Sequence, residues 1–275
     1  MTIIAVAHLK TRIGAKRTNM EHVKHLVKEA REKGAKLVVL PSMFNSGPII
    51  DYLPPQRLKY SLKSQAERIP GPSTEQLTTI AIGTSLYIVA GPIIERAGPK
   101  LFLTTIIVGP DGGILGKYRK IVLSPKEEQI GISSGRELVY FNLDRKYGIL
   151  AEEDVIAPEI ARSLRITGAD SLITSIRVRP NNKFTNYLLI ARAIENNIPV
   201  IAAGGIVENQ GEIAGEVASM IYDPREGVIG FAEGPEEQVI VADIPKTANG
   251  LLVTANSLKL AVTSLCKIAR NRDII

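Results

Sequence analysis

Three consecutive acidic residues, Glu152, Glu153 and Asp154, are the strongest candidates for chemistry in this sequence. They follow an apolar segment at residues 147–151 that predicts a short strand, and they precede Pro158, which suits the first turn of a helix. A strand, a sharp turn and a helix together hold the side chain at the turn above the edge of a sheet, where enzymes place a reactive group. The residue at the start of this predicted turn, Glu152, carries a carboxylate rather than a thiol or a hydroxyl.

The sequence leaves the role of these acids open between a metal site and a pocket wall. Together with Glu128 they could supply oxygen ligands, but neighbouring residues on a turn point in different directions, and none of the three histidines is near in sequence. The pattern therefore favours a site without a metal ion. In the alternative interpretation, Glu153 lines a pocket and Asp154 caps the helix that follows.

The elements around the acidic turn are predicted to form two similar halves. Each half has the order strand, helix, strand, helix, strand and then hairpins, with no break in composition between them. Within them, residues 45–58 are expected to form a long loop and Gly204-Gly205 a turn. Two such halves can lay sheet against sheet with helices on both outer faces. The pattern predicts an α/β protein with a four-layer α-β-β-α sandwich, in one domain over residues 1–245.

The last segment, residues 246–275, lies outside this repeat and is predicted to be a C-terminal extension. Apolar residues at helical spacing predict an amphipathic helix over residues 256–270, which packs on the body or on a partner subunit. Cys266, the only cysteine in the sequence, is expected to be a buried and inert thiol within that helix.

Composition and charge exclude several classes of protein. The net charge of +6 raises nucleic acid as a partner, but much of the basic excess lies early, interleaved with acids, which favours a solvated helix face. No apolar run approaches the roughly 18 residues that span a bilayer, and no leader is expected at the amino terminus. The glycine pairs Gly112-Gly113 and Gly204-Gly205 do not form a phosphate-binding pattern. We therefore expect no cofactor, no nucleic acid, no membrane association and, from the single cysteine, a cytoplasmic location.

Three segments resemble the nitrilase superfamily of carbon–nitrogen hydrolases. They are residues 37–44 (Leu-Val-Val-Leu-Pro-Ser-Met-Phe), residues 116–123 (Gly-Lys-Tyr-Arg-Lys-Ile-Val-Leu) and residues 148–159 (Gly-Ile-Leu-Ala-Glu-Glu-Asp-Val-Ile-Ala-Pro-Glu). Supporting matches at residues 91–96, 191–196 and 218–224 occur in the family's order. The resemblance implies the same four-layer sandwich, usually as a dimer.

The family's chemistry uses a glutamate that takes the proton of a cysteine thiol, and a lysine that stabilises the oxyanion formed when the thiolate attacks. The resemblance places Ser42 at the glutamate position, Lys120 at the lysine position and Glu152 at the cysteine position. It also implies a further glutamate near the lysine, which falls on Glu128. Ser175 follows the next strand and is either a pocket residue or a plain loop serine.

Two of the three family positions are therefore substituted. Without a thiolate there is no thioacyl intermediate, and a carboxylate is a far poorer nucleophile toward amides. One carboxylate is lost at Ser42 and one gained at Glu152, so the formal charge of the pocket is unchanged. Glu152 is predicted to pair with Lys120 within about 4 Å, the usual limit of an ion pair.

These residues lead to one interpretation and two alternatives. We interpret the chain as a member without amidase or nitrilase activity that binds a small amide or carboxylate ligand or a partner, as a homodimer or higher homo-oligomer. It is alternatively a hydrolase acting on carbon–nitrogen bonds by an altered mechanism, with Glu152 as acid or base and Lys120 as electrostatic partner. It is otherwise a non-catalytic subunit that pairs with an active paralogue.

Overall fold

The computed structural model describes residues 2–180, 185–245 and 255–271, without the side chains of residue 255 and residues 268–271. Fourteen strands and eight helices lie within these ranges. The strands are β1 (Ile3–Arg12), β2 (Leu37–Val39), β3 (Tyr87–Ala97), β4 (Lys100–Val108), β5 (Ile114–Arg119), β6 (Tyr140–Asn142), β7 (Lys146–Ala151), β8 (Ser171–Ser175), β9 (Val200–Ala203), β10 (Gly205–Asn209), β11 (Glu212–Val217), β12 (Ser219–Asp223), β13 (Gly227–Ala232) and β14 (Gln238–Asp243). The helices are α1 (Lys16–Glu32), α2 (Ile49–Tyr52), α3 (Pro55–Gln65), α4 (Pro72–Thr84), α5 (Pro125–Gln129), α6 (Pro158–Ile166), α7 (Thr185–Asn196) and α8 (Ala255–Asn271).

The strands form two sheets that pack face to face. The first has the order β11-β10-β1-β2-β3-β4-β5, with β14 also paired to β1, and the second has the order β13-β12-β9-β8-β7-β6. Val6 and Val39 of the first sheet and Ile149 and Ile173 of the second belong to the core between them. Helices α1 and α4 cover the outer face of the first sheet, and α6 and α7 cover that of the second. The predicted four-layer α-β-β-α sandwich is confirmed.

Strand β1 illustrates why the sequence forms this layered core. Successive side chains of a strand point to opposite faces of the sheet, so a strand covered on both faces needs apolar residues at every position. Ile4 and Val6 lie in the core between the sheets, whereas Ala5 and Ala7 lie in the core beneath α1 and α4. The uninterrupted apolar run of β1 is thus required by its position at the centre of the first sheet.

The turn predicted at Gly204-Gly205 is wrong, because Gly205 begins strand β10. Gly205 pairs with Leu9 of β1, and a Cβ atom added there would lie only 2.5 Å from the Leu9 carbonyl oxygen. Glycine is needed here so that two backbones can approach closely, not to reverse the chain. Through β10, β11 and β14, the second half of the chain supplies three strands to the first sheet.

The long loop predicted at residues 45–58 is also wrong, since it contains α2 and the beginning of α3. Pro55 occupies the first turn of α3, where a proline costs no hydrogen bond and favours the helix. Ile49, Ile50 and Leu58 are buried in a small core formed with Met43. The prolines of this segment therefore start a helix rather than mark an extended loop.

Helix α8 is present where the amphipathic pattern predicts a helix. Its described side chains, residues 256–267, are exposed apart from the half-buried Leu258, so this part of the helix does not pack on the body of the same chain. Cys266 is exposed, and its predicted burial is wrong, because no described part of the chain covers this helix. Packing on a partner subunit stays a prediction.

The predicted domain division between residues 245 and 246 is untested, because residues 246–254 lie outside the described ranges.

None of the helices in the described ranges is long and apolar enough to cross a membrane.

Candidate active site

The candidate site lies where the carboxyl ends of several strands meet. Lys120 directly follows β5, Glu152 directly follows β7, and Arg177 lies two residues after β8. Ser42 lies three residues beyond β2. In sheets with parallel strands, the carboxyl ends are where ligands bind and where functional side chains converge. The two packed sheets therefore place residues from distant parts of the sequence around one point.

Glu152 stands at a sharp elbow between β7 and a 3₁₀ turn, Glu152–Val155. Its φ angle is +52°, a left-handed conformation that residues with a side chain adopt rarely and at a cost on the order of 1 kcal/mol or more. A strained backbone of this kind persists when its surroundings fix it, and it is common at functional sites. The elbow predicted from the sequence is present.

Asp154 holds this elbow against the end of β5. Its carboxylate accepts hydrogen bonds from the Tyr118 hydroxyl at 2.7 Å, from the Val122 backbone N–H at 2.8 Å and from the Ala151 backbone N–H at 3.0 Å. The prediction that Asp154 caps α6 is wrong, because the 3₁₀ turn directs its side chain backward and Ala157 is the N-cap of α6. Asp154 therefore fixes the backbone on both sides of the site.

The ammonium group of Lys120 is the centre of the site. Its Nζ atom donates to Glu127 at 2.8 Å and to Glu152 at 2.8 Å, and it also contacts Glu153. The side chain of Lys120 is fully buried. The predicted ion pair between Lys120 and Glu152 is confirmed, and Glu153 lies beside it.

The glutamate beside the lysine is Glu127, whereas Glu128 is exposed. Ser124 is the N-cap of α5, and its hydroxyl accepts a hydrogen bond from the Glu127 backbone N–H at 3.3 Å. The Glu127 carboxylate accepts in return from the Ser124 backbone N–H at 2.7 Å, which completes a capping box. This geometry turns Glu127 inward and Glu128 outward. The pocket position predicted for Glu128 is wrong by one residue.

Two arginines that follow β8 add positive charge to the site. Arg177 is buried and forms ion pairs with Glu127 at 2.6 Å, Asp51 at 2.9 Å and Glu152 at 3.2 Å. Arg179 is partly exposed, with about a quarter of its side chain accessible, and it pairs with Glu153 and with Asp51. The site is thus a network of four carboxylates and three cations, in which Arg179 is the cation that reaches solvent.

The two serines of the predicted site have different positions. The hydroxyl of Ser42 donates a hydrogen bond to Glu152 and therefore belongs to the charged network. The hydroxyl of Ser175 donates to the Leu40 carbonyl at 2.9 Å, which ties the second sheet to the segment after β2. Ser175 is buried beside the site, but its hydrogen is used by the backbone, and a role toward a ligand stays a prediction.

Charge interactions determine the protonation of this network. Burial alone would raise the pKa of Glu152, but the nearby Arg177, Lys120 and Arg179 lower it to about 2, so the group is ionised near neutral pH. The pKa of Glu127 is also lowered, because Arg177 and Lys120 outweigh its burial and the charge of Glu152. The pKa of Asp51 is raised by its burial. Burial outweighs the charges of Arg177 and Arg179 at Asp51, so this carboxylate takes up a proton at a higher pH than an ordinary aspartate.

Comparison with known proteins places this geometry in a family. Residues 3–250 match the family model for carbon-nitrogen hydrolases. The chain belongs to the carbon–nitrogen hydrolase family.

Relatives of this family member include proteins with enzyme names. The chain is 32% identical over 250 residues to a nitrilase from Pyrococcus abyssi, and this match covers 89% of the chain and 90% of the relative. The chain is also 32% identical over 240 residues to an omega-amidase from Xenopus tropicalis, and this match covers 83% of each of the two proteins. An amidase from Nesterenkonia sp. AN1 has the same fold, with a TM-score of 0.78 at 22% identity, over 95% of this chain and 100% of the amidase.

Three acids of this chain lie close enough together for a metal site. Oxygen atoms of Glu127, Glu152 and Glu153 all lie within 4.8 Å of one another. The Lys120 ammonium, however, stands where these three carboxylates converge and already supplies a positive charge to each of them. This donor set therefore fits the lysine and does not fit an additional divalent cation.

Sequence reasoning missed Asp51, Glu127, Arg177 and Arg179. The signal for the two arginines is present, since charged residues alternate with apolar ones directly after the buried strand β8, and such strand ends converge on a site. The signal for Glu127 is the Ser-Pro-Lys-Glu pattern at residues 124–127, which is typical of a capping box. Asp51 has no local signal, because its role depends on how α2 folds over the site.

We expect the carboxylate of Glu152 to make the stability of the protein depend on pH under acidic conditions. Its pKa is about 4.5 in the unfolded chain and about 2 in the folded protein, so it contributes on the order of 3 kcal/mol above pH 4.5. This contribution is lost as the pH falls from about 4.5 toward 2. The difference in unfolding free energy between wild type and Glu152→Gln, measured with urea at several pH values, should be largest above pH 4.5 and shrink below it.

The matched control for this measurement is Glu128→Gln, which neutralises an exposed carboxylate in α5. We expect it to change the unfolding free energy little at any pH. A Glu152→Gln difference that stays constant from pH 7 to pH 2.5 would contradict an ionised, stabilising Glu152.

Proposed function

We propose that this member of the carbon–nitrogen hydrolase family has lost the thiol-based amidase and nitrilase chemistry and acts by binding a small ligand at the charged site. The observation that carries this proposal is the position of Glu152. It occupies the elbow after β7, where the family resemblance expects the nucleophilic cysteine, and it is bound by Lys120, Arg177 and Ser42.

The hydrogen-bonding capacity of Lys120 supports the loss of catalysis. An ammonium group has three N–H donors, and three carboxylates, those of Glu127, Glu152 and Glu153, lie against it. A lysine that stabilises a developing oxyanion needs a donor directed at the substrate oxygen. In this arrangement the donors of Lys120 are taken by the protein's own carboxylates.

The cysteine of the chain also supports the proposal. Cys266 is the only one, and it lies exposed on α8, whereas Lys120 is fully buried. One Nesterenkonia amidase structure is described as showing the Michael addition of acrylamide at its active-site cysteine. This chain supplies no thiol at its own elbow to form such an adduct.

The class of ligand is inferred from the part of the network that reaches solvent. Arg179 is partly exposed and carries planar N–H donors that suit a carbonyl or carboxylate oxygen. The acids around it, Asp51 and Glu153, can accept from an amide N–H₂ group. A small amide or carboxylate is therefore the ligand class that the site favours.

The hydrogen bond from Ser42 to Glu152 favours one second candidate, a hydrolase of altered mechanism. Glu152 would take a proton from water or from the Ser42 hydroxyl, and Lys120 would supply positive charge. The pKa of Glu152, lowered to about 2, makes it a weak base, while efficient general bases have pKa values near the operating pH. We therefore favour the binding function over this hydrolase.

We expect the purified protein not to hydrolyse aliphatic amides or nitriles above the buffer rate, and Glu152→Gln to leave that result unchanged. A panel with acetamide, propionamide, succinamate and propionitrile, followed by ammonia release, measures this. Thermal shifts with acetamide, acetate and succinate test binding, and Arg179→Ala is expected to abolish them. Turnover in wild type that is abolished by Glu152→Gln would overturn the proposal in favour of the altered hydrolase.

We also propose that the protein forms a homodimer in the cytoplasm. Exposed apolar side chains near and on α6 and α7 support an interface between copies; they are Ile156, Ile166, Tyr187 and Ile194. Such a group of exposed apolar residues is typical of an association surface. A monomer mass in light scattering would overturn the dimer, and co-purification of a relative with an intact triad would favour the paralogue alternative.

A further inference from the structure

A cavity lies on the opposite face of β5 from the candidate active site. It has a volume of about 640 Å³ and is lined by residues of β4, β5 and the segment 133–139. Because side chains alternate along a strand, Tyr118 and Lys120 point into the protein, whereas Lys117 and Arg119 point into this cavity. The cavity is thus separate from the network around Lys120.

The floor of the cavity holds two cations in fixed positions. The Arg119 guanidinium donates to Glu95 from Nε at 2.7 Å and from Nη2 at 2.8 Å, and it stacks over the Phe102 ring at 4.0 Å. Lys117 donates to the same Glu95 carboxylate at 3.0 Å. Arginine has five N–H donors, so three remain on Arg119 after these two bonds. The group is held rigidly and retains donors for a ligand.

Two further cations stand at the rim of the cavity. Lys100 at the start of β4 and Arg136 in the facing segment are both exposed and line the cavity. Within the described ranges, neither forms an ion pair with an acidic side chain at 4.0 Å or less. The lining contains one acid, Glu137, and the buried Glu95 lies beneath it. Four cations against two acids leave an excess of positive charge in a concave site.

We propose that this cavity is a binding site for a small polyanion that carries two or more phosphate or carboxylate groups. A volume of about 640 Å³ lies in the range of small-molecule sites. The stacked and anchored Arg119 is suited to bidentate binding of a phosphate or carboxylate. Lys100 and Arg136 at the rim can then bind a second anionic group of the same molecule. The concave shape favours such a small ligand over an extended nucleic acid, which would need a longer basic surface.

Isothermal titration with inorganic pyrophosphate and with citrate at 50 mM salt tests this site. We expect a dissociation constant below 1 mM for at least one of the two probes and weaker binding at 200 mM salt. The double variant Lys100→Ala, Arg136→Ala is expected to weaken binding at least tenfold. Both side chains are exposed, so the variant keeps the fold, which circular dichroism and the melting temperature verify.

Two controls distinguish this cavity from general attraction to a basic protein. Lys24→Ala with Lys59→Ala removes the same charge from exposed positions on α1 and α3 and should leave binding unchanged. Arg179→Ala, which alters the candidate active site, should also leave it unchanged. Equal weakening by the two double variants, loss of binding in Arg179→Ala, or no binding of either probe at 1 mM would each overturn the proposal.

Discussion

Replacing Lys120 by methionine is expected to lower the free energy of unfolding by about 3–5 kcal/mol, the cost of breaking a buried ion pair from one side. The methionine fills a similar volume but leaves Glu127, Glu152 and Glu153 without their shared cation. Carboxylates in contact repel one another, and at least one must then take up a proton to remain buried. Urea denaturation at pH 7 measures the change, and the variant should regain stability as the pH is lowered toward 5.

The matched control is Lys117→Met, three residues earlier and within β5. Lys117 also pairs with a buried glutamate, Glu95, but its side chain is 42% exposed and Arg119 neutralises the same acid. A loss of at most about 1 kcal/mol is expected for such an exposed pair. Adding Glu152→Gln to Lys120→Met should recover part of the lost stability. Equal losses at positions 117 and 120 would contradict the central role of the Lys120 network.

A cysteine placed at the elbow is expected to be unusually reactive. In a Cys266→Ser background, Glu152→Cys puts the only thiol of the protein beside Lys120 and Arg177, which favour its ionised form. We expect acrylamide to label this thiol at pH 7 at least tenfold faster than the exposed thiol of Glu128→Cys in the same background. Mass spectrometry of the intact protein over time measures both rates.

The same background tests whether the remainder of the site can still support catalysis. Adding Ser42→Glu to Glu152→Cys restores a carboxylate next to the thiol, in the arrangement that the family resemblance describes. We expect ammonia release from acetamide or propionamide to rise at least a hundredfold above the buffer rate, which is the rate expected for wild type. In the acrylamide labelling experiment with Glu152→Cys alone, a thiol that reacts no faster than the Glu128→Cys thiol would mean that Lys120 and Arg177 do not act on position 152.

The fold and the elbow of the site were predictable because both rest on local patterns in the sequence. Apolar strands that alternate with amphipathic helices specify the layers, and the strand, turn and helix around Glu152 specify the elbow. The family resemblance places Lys120 beside Glu152, and the two lie 2.8 Å apart. Glu152 directly follows the buried strand β7 and has few directions open to it, so its sequence position determines its place in space.

The errors arise where position depends on tertiary contacts. Glu127 and Glu128 are chemically identical neighbours, and only the first turn of α5 decides which one faces Lys120. Asp51 joins the network because α2 packs its two isoleucines into a core with Met43, which no local pattern specifies. Strand β10 was taken for a turn because glycines serve both for chain reversal and for close backbone contact.

Along one edge, β1 pairs with two strands, β10 and β14, that come late in the sequence. Their late positions determine when the first sheet can be completed during synthesis. Residues 3–8 of β1 pair with β14, and residues 9–12 pair with β10. Ile3 is paired with Asp243, so the ribosome must deliver almost the whole domain before that edge of β1 has a hydrogen-bonding partner. Pairings so distant in sequence form slowly, and until then an apolar strand edge is open to other chains. The nascent protein is therefore most exposed to aggregation at the strand that is made first.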